Sequence, residues 1–102
     1  MNKTIEATKK QILRGHILIL CNELQTMGAG VPLMHMVLQK QGASYTQKDI
    51  SEACHYLHDK QLINFKHFQS DELNAKRDIA YITSAGIDVL EGTTPMAGVV
   101  VG

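Results

Sequence analysis

Residues 45–63 read YTQKDISEACHYLHDKQLI, and this stretch decides the fold. Thr46 offers a hydroxyl that can accept from the backbone three residues on, and an acid, Asp49, sits at that third position. Thr46-Gln47-Lys48-Asp49 therefore resembles a capping box that opens a helix. Ile50, Ala53 or Cys54, and Leu57 follow at helical spacing, so the helix runs to about Lys60 with one apolar face turned inward and Ile63 just beyond it.

Downstream of this helix the period changes. Leu62-Ile63-Asn64-Phe65-Lys66-His67-Phe68 alternates, and so does Asp78-Ile79-Ala80-Tyr81-Ile82, which predicts a β-hairpin pairing about 63–68 with 78–82. The polar stretch between them, Gln69 to Lys76 or Arg77, is expected as a long mobile tip with no apolar anchor except Leu73. Thr83-Ser84 offers an N-cap for a short last helix through Ile87, Val89 and Leu90, ended by Gly92. Residues 93–102 are small and apolar, with Pro95 among them, and read as a tail that is either a packed arm or disordered.

Upstream, Pro32 suits the first turn of a helix, where its missing N–H is not needed. Leu33, Met34, Met36, Val37 and Leu38 give that helix an apolar face, and Gly42 stops it before an extended piece, Ala43-Ser44-Tyr45. From Thr4 to Thr26 only Gly15 interrupts a further helical pattern, at a cost of roughly 1 kcal/mol relative to Ala. Ile5, Ile12, Leu13, Ile17, Leu20, Cys21 and Leu24 form its stripe, and the run Ile17-Leu18-Ile19-Leu20 widens it. Met27-Gly28-Ala29-Gly30 ends the helix. The expected core joins Leu20, Leu24, Val37, Ile50, Leu57, Ile63, Ile82 and Leu90.

Helix, helix, extended stub, helix, hairpin, helix is an order that resembles the winged helix-turn-helix proteins. Two segments carry the likeness. Tyr45 to Ile63 is similar to the superfamily's third helix, with a capped start and a Lys-x-Leu-Ile exit at Lys60 to Ile63. Ile82-Thr83-Ser84-Ala85-Gly86-Ile87-Asp88-Val89-Leu90 is similar to its junction between wing and last helix. Small phage or prophage-type winged-helix proteins and MarR- or PadR-like proteins fit the pattern. The resemblance implies a mainly α fold with a small antiparallel β wing, one domain over residues 1–92 and a tail over 93–102. It also implies binding to double-stranded DNA and transcription regulation.

In such a fold the exposed face of the third helix enters the major groove, where donors and acceptors meet base edges. The outward positions are Gln47, Lys48, Ser51, Glu52, His55, His58 and Asp59. Gln47, Ser51 and His55 can bond to bases and Lys48 can reach a phosphate, while Lys76 and Arg77 on the wing suit the backbone or the minor groove. The acids pull the other way. Residues 46–60 carry Lys48 and Lys60 against Asp49, Glu52 and Asp59, which weakens the counterion-release gain that drives DNA binding. A winged helix that docks on protein and has given up DNA is therefore the alternative.

Other functions find less support. The chain has 102 residues, 44% of them apolar, with ten basic and ten acidic side chains, so it makes one domain without a global field for a polyanion. Lys3, Lys9, Lys10 and Arg14 concentrate on the first helix, where a solvated face is the plain explanation. Two cysteines without a spaced framework suit a reducing compartment, and with neither a long apolar run nor an apolar N-terminal segment the expected location is cytoplasmic, with no membrane partner. Cys54, His55 and His58 have helical spacing for two metal ligands, with His16, His35 or His67 to complete a set. Cys54 nevertheless falls on the inner face, so no metal and no cofactor are expected. No nucleophile elbow or phosphate-cradling loop is present, and Gly28 and Gly30 read as a turn, so no enzyme is expected. Finally, the apolar run at 17–20 must be covered, either by the second and last helices or, together with Val99-Val100-Val101, by a homodimer partner.

Overall fold

The computed structural model describes residues 3–25, 28–72 and 75–101, with Ser70 and residues 75–77 described by backbone alone. Four helices and one hairpin follow in order: α1 (Lys3–Glu23), α2 (Val31–Lys40), α3 (Gln47–Asp59), β1 (Ile63–Ser70), β2 (Ala75–Ile82) and α4 (Ser84–Leu90). The expected end of the first helix at Thr26 lies outside the described residues. Just past Glu23 the Leu24 N–H still donates to the Leu20 carbonyl at 2.8 Å, and the Gly28 N–H donates to the Leu24 carbonyl at 2.7 Å. Gly28 is demanded twice over. Its φ is +80°, and a Cβ there would stand 2.6 Å from the Ile79 side chain.

Between α1 and α2, Ala29 forms an isolated antiparallel bridge with Ala80, whose N–H donates to the Ala29 carbonyl at 2.9 Å. This corrects the sequence reading, which placed the extended stub at Ala43-Ser44-Tyr45. No strand pairing occurs at those three residues. The physical reason is partnership: an extended segment becomes a strand where a free sheet edge lies beside it, and β2 offers its edge to Ala29.

Pro32 sits in the first turn of α2, as its geometry allows. Of the apolar face foreseen for this helix, Met34 and Leu38 are buried, Leu33 and Val37 are half-buried, and Met36 is exposed. At α3 the capping box is complete. The Asp49 N–H donates to Thr46 Oγ1 and the Thr46 N–H donates to Asp49 Oδ2, each at 3.0 Å. Ile50, Ala53, Cys54 and Leu57 are the buried face. The helix closes with Gln61 in the left-handed region (φ 63°), which lets the Leu62 N–H return to the Leu57 carbonyl at 2.9 Å.

The strands of the hairpin are longer than the alternation indicates. The register runs from Ile63 opposite Ile82 to Ser70 opposite Ala75, so Gln69, Lys76 and Arg77 belong to the ladder and not to a loop. Leu73 and Asn74 lie outside the described residues. At the far end of β2, Thr83 caps α4 by accepting from the Gly86 N–H at 3.1 Å and donates its own hydroxyl to the Gln61 carbonyl at 2.8 Å. One side chain thereby ties the end of α3 to the start of α4.

Ile17, Leu18, Met34, Ile50, Leu57, Leu62 and Ile63 are fully buried at the centre. Of the eight core residues expected, Leu20, Ile50, Leu57 and Ile63 are buried, whereas Leu24, Val37, Ile82 and Leu90 are half-buried at its margin. Within the single chain Ile17, Leu18 and Leu20 of the apolar run on α1 are buried and Ile19 is half-buried. Part of the surrounding structure comes from the tail. Val99 is buried, the Val100 N–H donates to the Gln11 carbonyl at 3.1 Å, and Arg14 donates to the Gly98 carbonyl at 3.1 Å. Gly15, read from sequence as a helix defect, is where the Val100 carbonyl crosses α1 too closely for any Cβ.

Candidate nucleic-acid interface

Helix α3 stands with Ile50, Ala53, Cys54 and Leu57 inward, so helical geometry makes Lys48, Glu52, His55 and Asp59 its most outward line; all four are exposed. Gln47 is also exposed. Ser51 is half-buried and lines a small hollow of about 120 Å³ with Met34, Cys54, His55, Phe65 and Asp78. The strip of Gln47, Lys48, Ser51 and His55 is therefore contiguous along the helix, but Ser51 is recessed on its wing side. Asp49 and Glu52 border a different depression, the one between α3 and α1.

The wing is braced against α3 by an aromatic contact that alternation alone did not single out. The Phe65 ring lies 5.2 Å from the His58 ring and 6.2 Å from the His55 ring, tilted by 46° and 54°. Across the ladder His67 and Asp78 are direct partners, and His67 Nδ1 and Asp78 Oδ1 are hydrogen-bonded at 2.8 Å. Lys66 lies over the Tyr81 ring at 5.2 Å. Phe65, His67 and Asp78 are the residues missed by the sequence reading. The available signal was register: once Ile63 is set opposite Ile82, residues 67 and 78 must face each other. Lys76 and Arg77 pair with Gln69 and Phe68 through the backbone, near the tip. Their side chains lie outside the described residues.

The cysteines are packing groups. Cys21 and Cys54 are both buried, and burial pushes each thiol up to about 12; for Cys21 the neighbouring Cys54 adds to the rise. Cys54 points into the core while His55 and His58 stand outside it, so the helical spacing of the three does not converge. No group of three His, Cys, Asp or Glu able to hold a metal ion occurs among the described residues. Among those residues, no helix is long and apolar enough to cross a membrane.

No protein-family model matches this sequence, and no curated protein matches it. A solved X-ray structure of a "PadR-like Transcription factor from bacteroid fragilis" superposes with a TM-score of 0.72 at 15% identity, over 90% of this chain and 88% of that one. The chain has a winged-helix fold. In these terms α3 is the third helix, the β1–β2 hairpin is the wing, and Ala29 supplies the short strand at the wing's base. The tail over residues 96–101 lies against α1, with Val100 bonded to Gln11 and Gly98 to Arg14. The exposed face of the winged helix is chemically mixed. Lys48 and His55 alternate with Glu52 and Asp59 along the outward line of α3.

Proposed function

We propose that this winged helix binds duplex DNA and regulates transcription, with α3 in the major groove and the wing on the adjoining backbone. The observation that carries the reading is the exposed line of α3 beside a wing fixed to it through Phe65, on a fold shared over nine-tenths of its length with a PadR-like transcription factor. Gln47, Ser51 and His55 are the base-reading candidates, and Lys48 is the phosphate contact on the helix. Lys76 and Arg77, close to the wing tip, add phosphate contacts one groove away.

The protein-docking alternative rests on one specific observation: Glu52 and Asp59 occupy the outermost line of α3, where carboxylates repel phosphate. A low-salt gel-shift titration separates the two. On the DNA reading Glu52→Gln tightens binding to unrelated duplexes, Arg77→Ala weakens all duplexes about equally, and changes at Gln47 or Ser51 alter which sequence is preferred. If Glu52→Gln and Arg77→Ala both leave duplex affinity unchanged, α3 is a protein-docking surface.

A further inference from the structure

We propose that the cleft between α1 and α3 binds a small zwitterion of short-peptide size, with its carboxylate on Arg14 and Lys10 and its ammonium on Glu52 and Asp49. The cleft measures about 600 Å³, within the range of sites that hold small molecules. It lies on the flank of α3 away from Phe65 and the wing.

The two walls carry opposite charge. The α1 wall presents Lys9, Lys10 and Arg14 against a single carboxylate, Glu6. The facing wall presents Asp49 and Glu52 and no cation. No lysine or arginine forms a salt bridge with a carboxylate among the described residues, so these groups do not pair directly with one another. Unpaired charges of opposite sign across a gap suit a ligand that carries both charges at its two ends. Leu13 and Ala53 give the space between them an apolar floor, and the half-buried Tyr45 adds a ring and a hydroxyl, so the middle of the ligand is amphipathic.

Two of the polar groups are held in place before any ligand arrives. Arg14, which lines the cleft, has its guanidinium stacked 3.5 Å from the centre of the Tyr56 ring and donates one N–H to the Gly98 carbonyl; its other donors have no partner among the described residues. Asp49 is fixed by the capping box through Oδ2, and its Oδ1 has no partner among the described residues. A fixed guanidinium and a fixed carboxylate among the lining groups lower the ordering cost of binding.

The test uses isotope-labelled protein without DNA, followed by its amide chemical shifts. The probes are the free dipeptide alanyl-phenylalanine, its N-acetyl form, which lacks the ammonium, and its C-terminal amide, which lacks the carboxylate. The free dipeptide should shift Leu13, Tyr45 and Ala53 saturably, with each capped form about tenfold weaker, as expected for one lost charge-assisted contact. Glu52→Gln should weaken the free dipeptide and leave the N-acetyl form unchanged. Lys10→Gln should weaken the free dipeptide and leave the amide unchanged. Both positions are exposed, so both variants keep the parent's thermal unfolding curve. Equal binding of the three peptides, shifts confined to other residues, or no saturable shift at millimolar peptide overturns the proposal.

Discussion

Gln61 shows how one backbone angle serves two junctions. Its left-handed conformation ends α3, and its carbonyl receives the Thr83 hydroxyl that caps α4. A β-carbon in that region is strained by roughly 1 kcal/mol, which glycine avoids. Against the roughly 0.4–1 kcal/mol that glycine adds to unfolded-chain entropy, Gln61→Gly should leave stability between unchanged and about 0.6 kcal/mol higher in urea unfolding. Destabilisation by Gln61→Gly would mean that the side chain itself makes a contact of consequence. The two buried thiols predict a pH response. Their folded pKa values lie at about 12, above the unfolded range. The folded state thus keeps protons that the unfolded chain sheds. Stability is full below about pH 8.5, where both states are protonated, and is lost as pH rises from there toward 12. Urea midpoints should fall between about pH 8 and about pH 10 by more in the parent than in the Cys21→Ala/Cys54→Ala double variant. Equal falls would assign the loss to other groups.

At the scale of elements, periodicity revealed whatever faced the core and little of what did not. The capping box and buried face of α3 were legible because Thr46, Asp49, Ile50 and Leu57 stand at helical spacing. The outer wing was not. Beyond Lys66 its strand residues are polar apart from the exposed Phe68 and the small Ala75, so no hydrophobic alternation marks Gln69, Lys76 and Arg77 as strand residues. The tail's role was hidden for a similar reason: residues 93–101 have no period, and the feature that receives them is an absence, the missing side chain of Gly15. Gly15→Ala raises the helix propensity of α1 by roughly 1 kcal/mol. Its methyl group would nevertheless meet the Val100 carbonyl, so the net effect should be destabilising by about 1–3 kcal/mol, as overpacking is. Amide exchange at Val100, bonded to Gln11, should speed up in the variant by more than exchange at Leu57. A stabilised Gly15→Ala protein would show that the tail does not press on α1.

For the whole molecule the difficulty is electrostatic. A chain with ten cations and ten carboxylates has no net field, so any DNA binding rests on local placement of charge. The sequence identified the residues of α3 that face outward but could not weigh Glu52 and Asp59 against Lys48 without the wing in position. Three-dimensional placement divides the acids: Asp49 and Glu52 border the cleft with α1, while Phe65 braces the wing on the opposite flank beside Ser51, His55 and His58. The most direct test of DNA binding is the affinity for a random duplex measured across a series of salt concentrations. If Lys48, Lys76 and Arg77 each neutralise one phosphate, the logarithm of the association constant falls linearly against the logarithm of salt with a slope of roughly −3 per bound copy. A flat dependence, or no binding at the lowest salt, would contradict DNA binding and leave α3 as a surface for another protein.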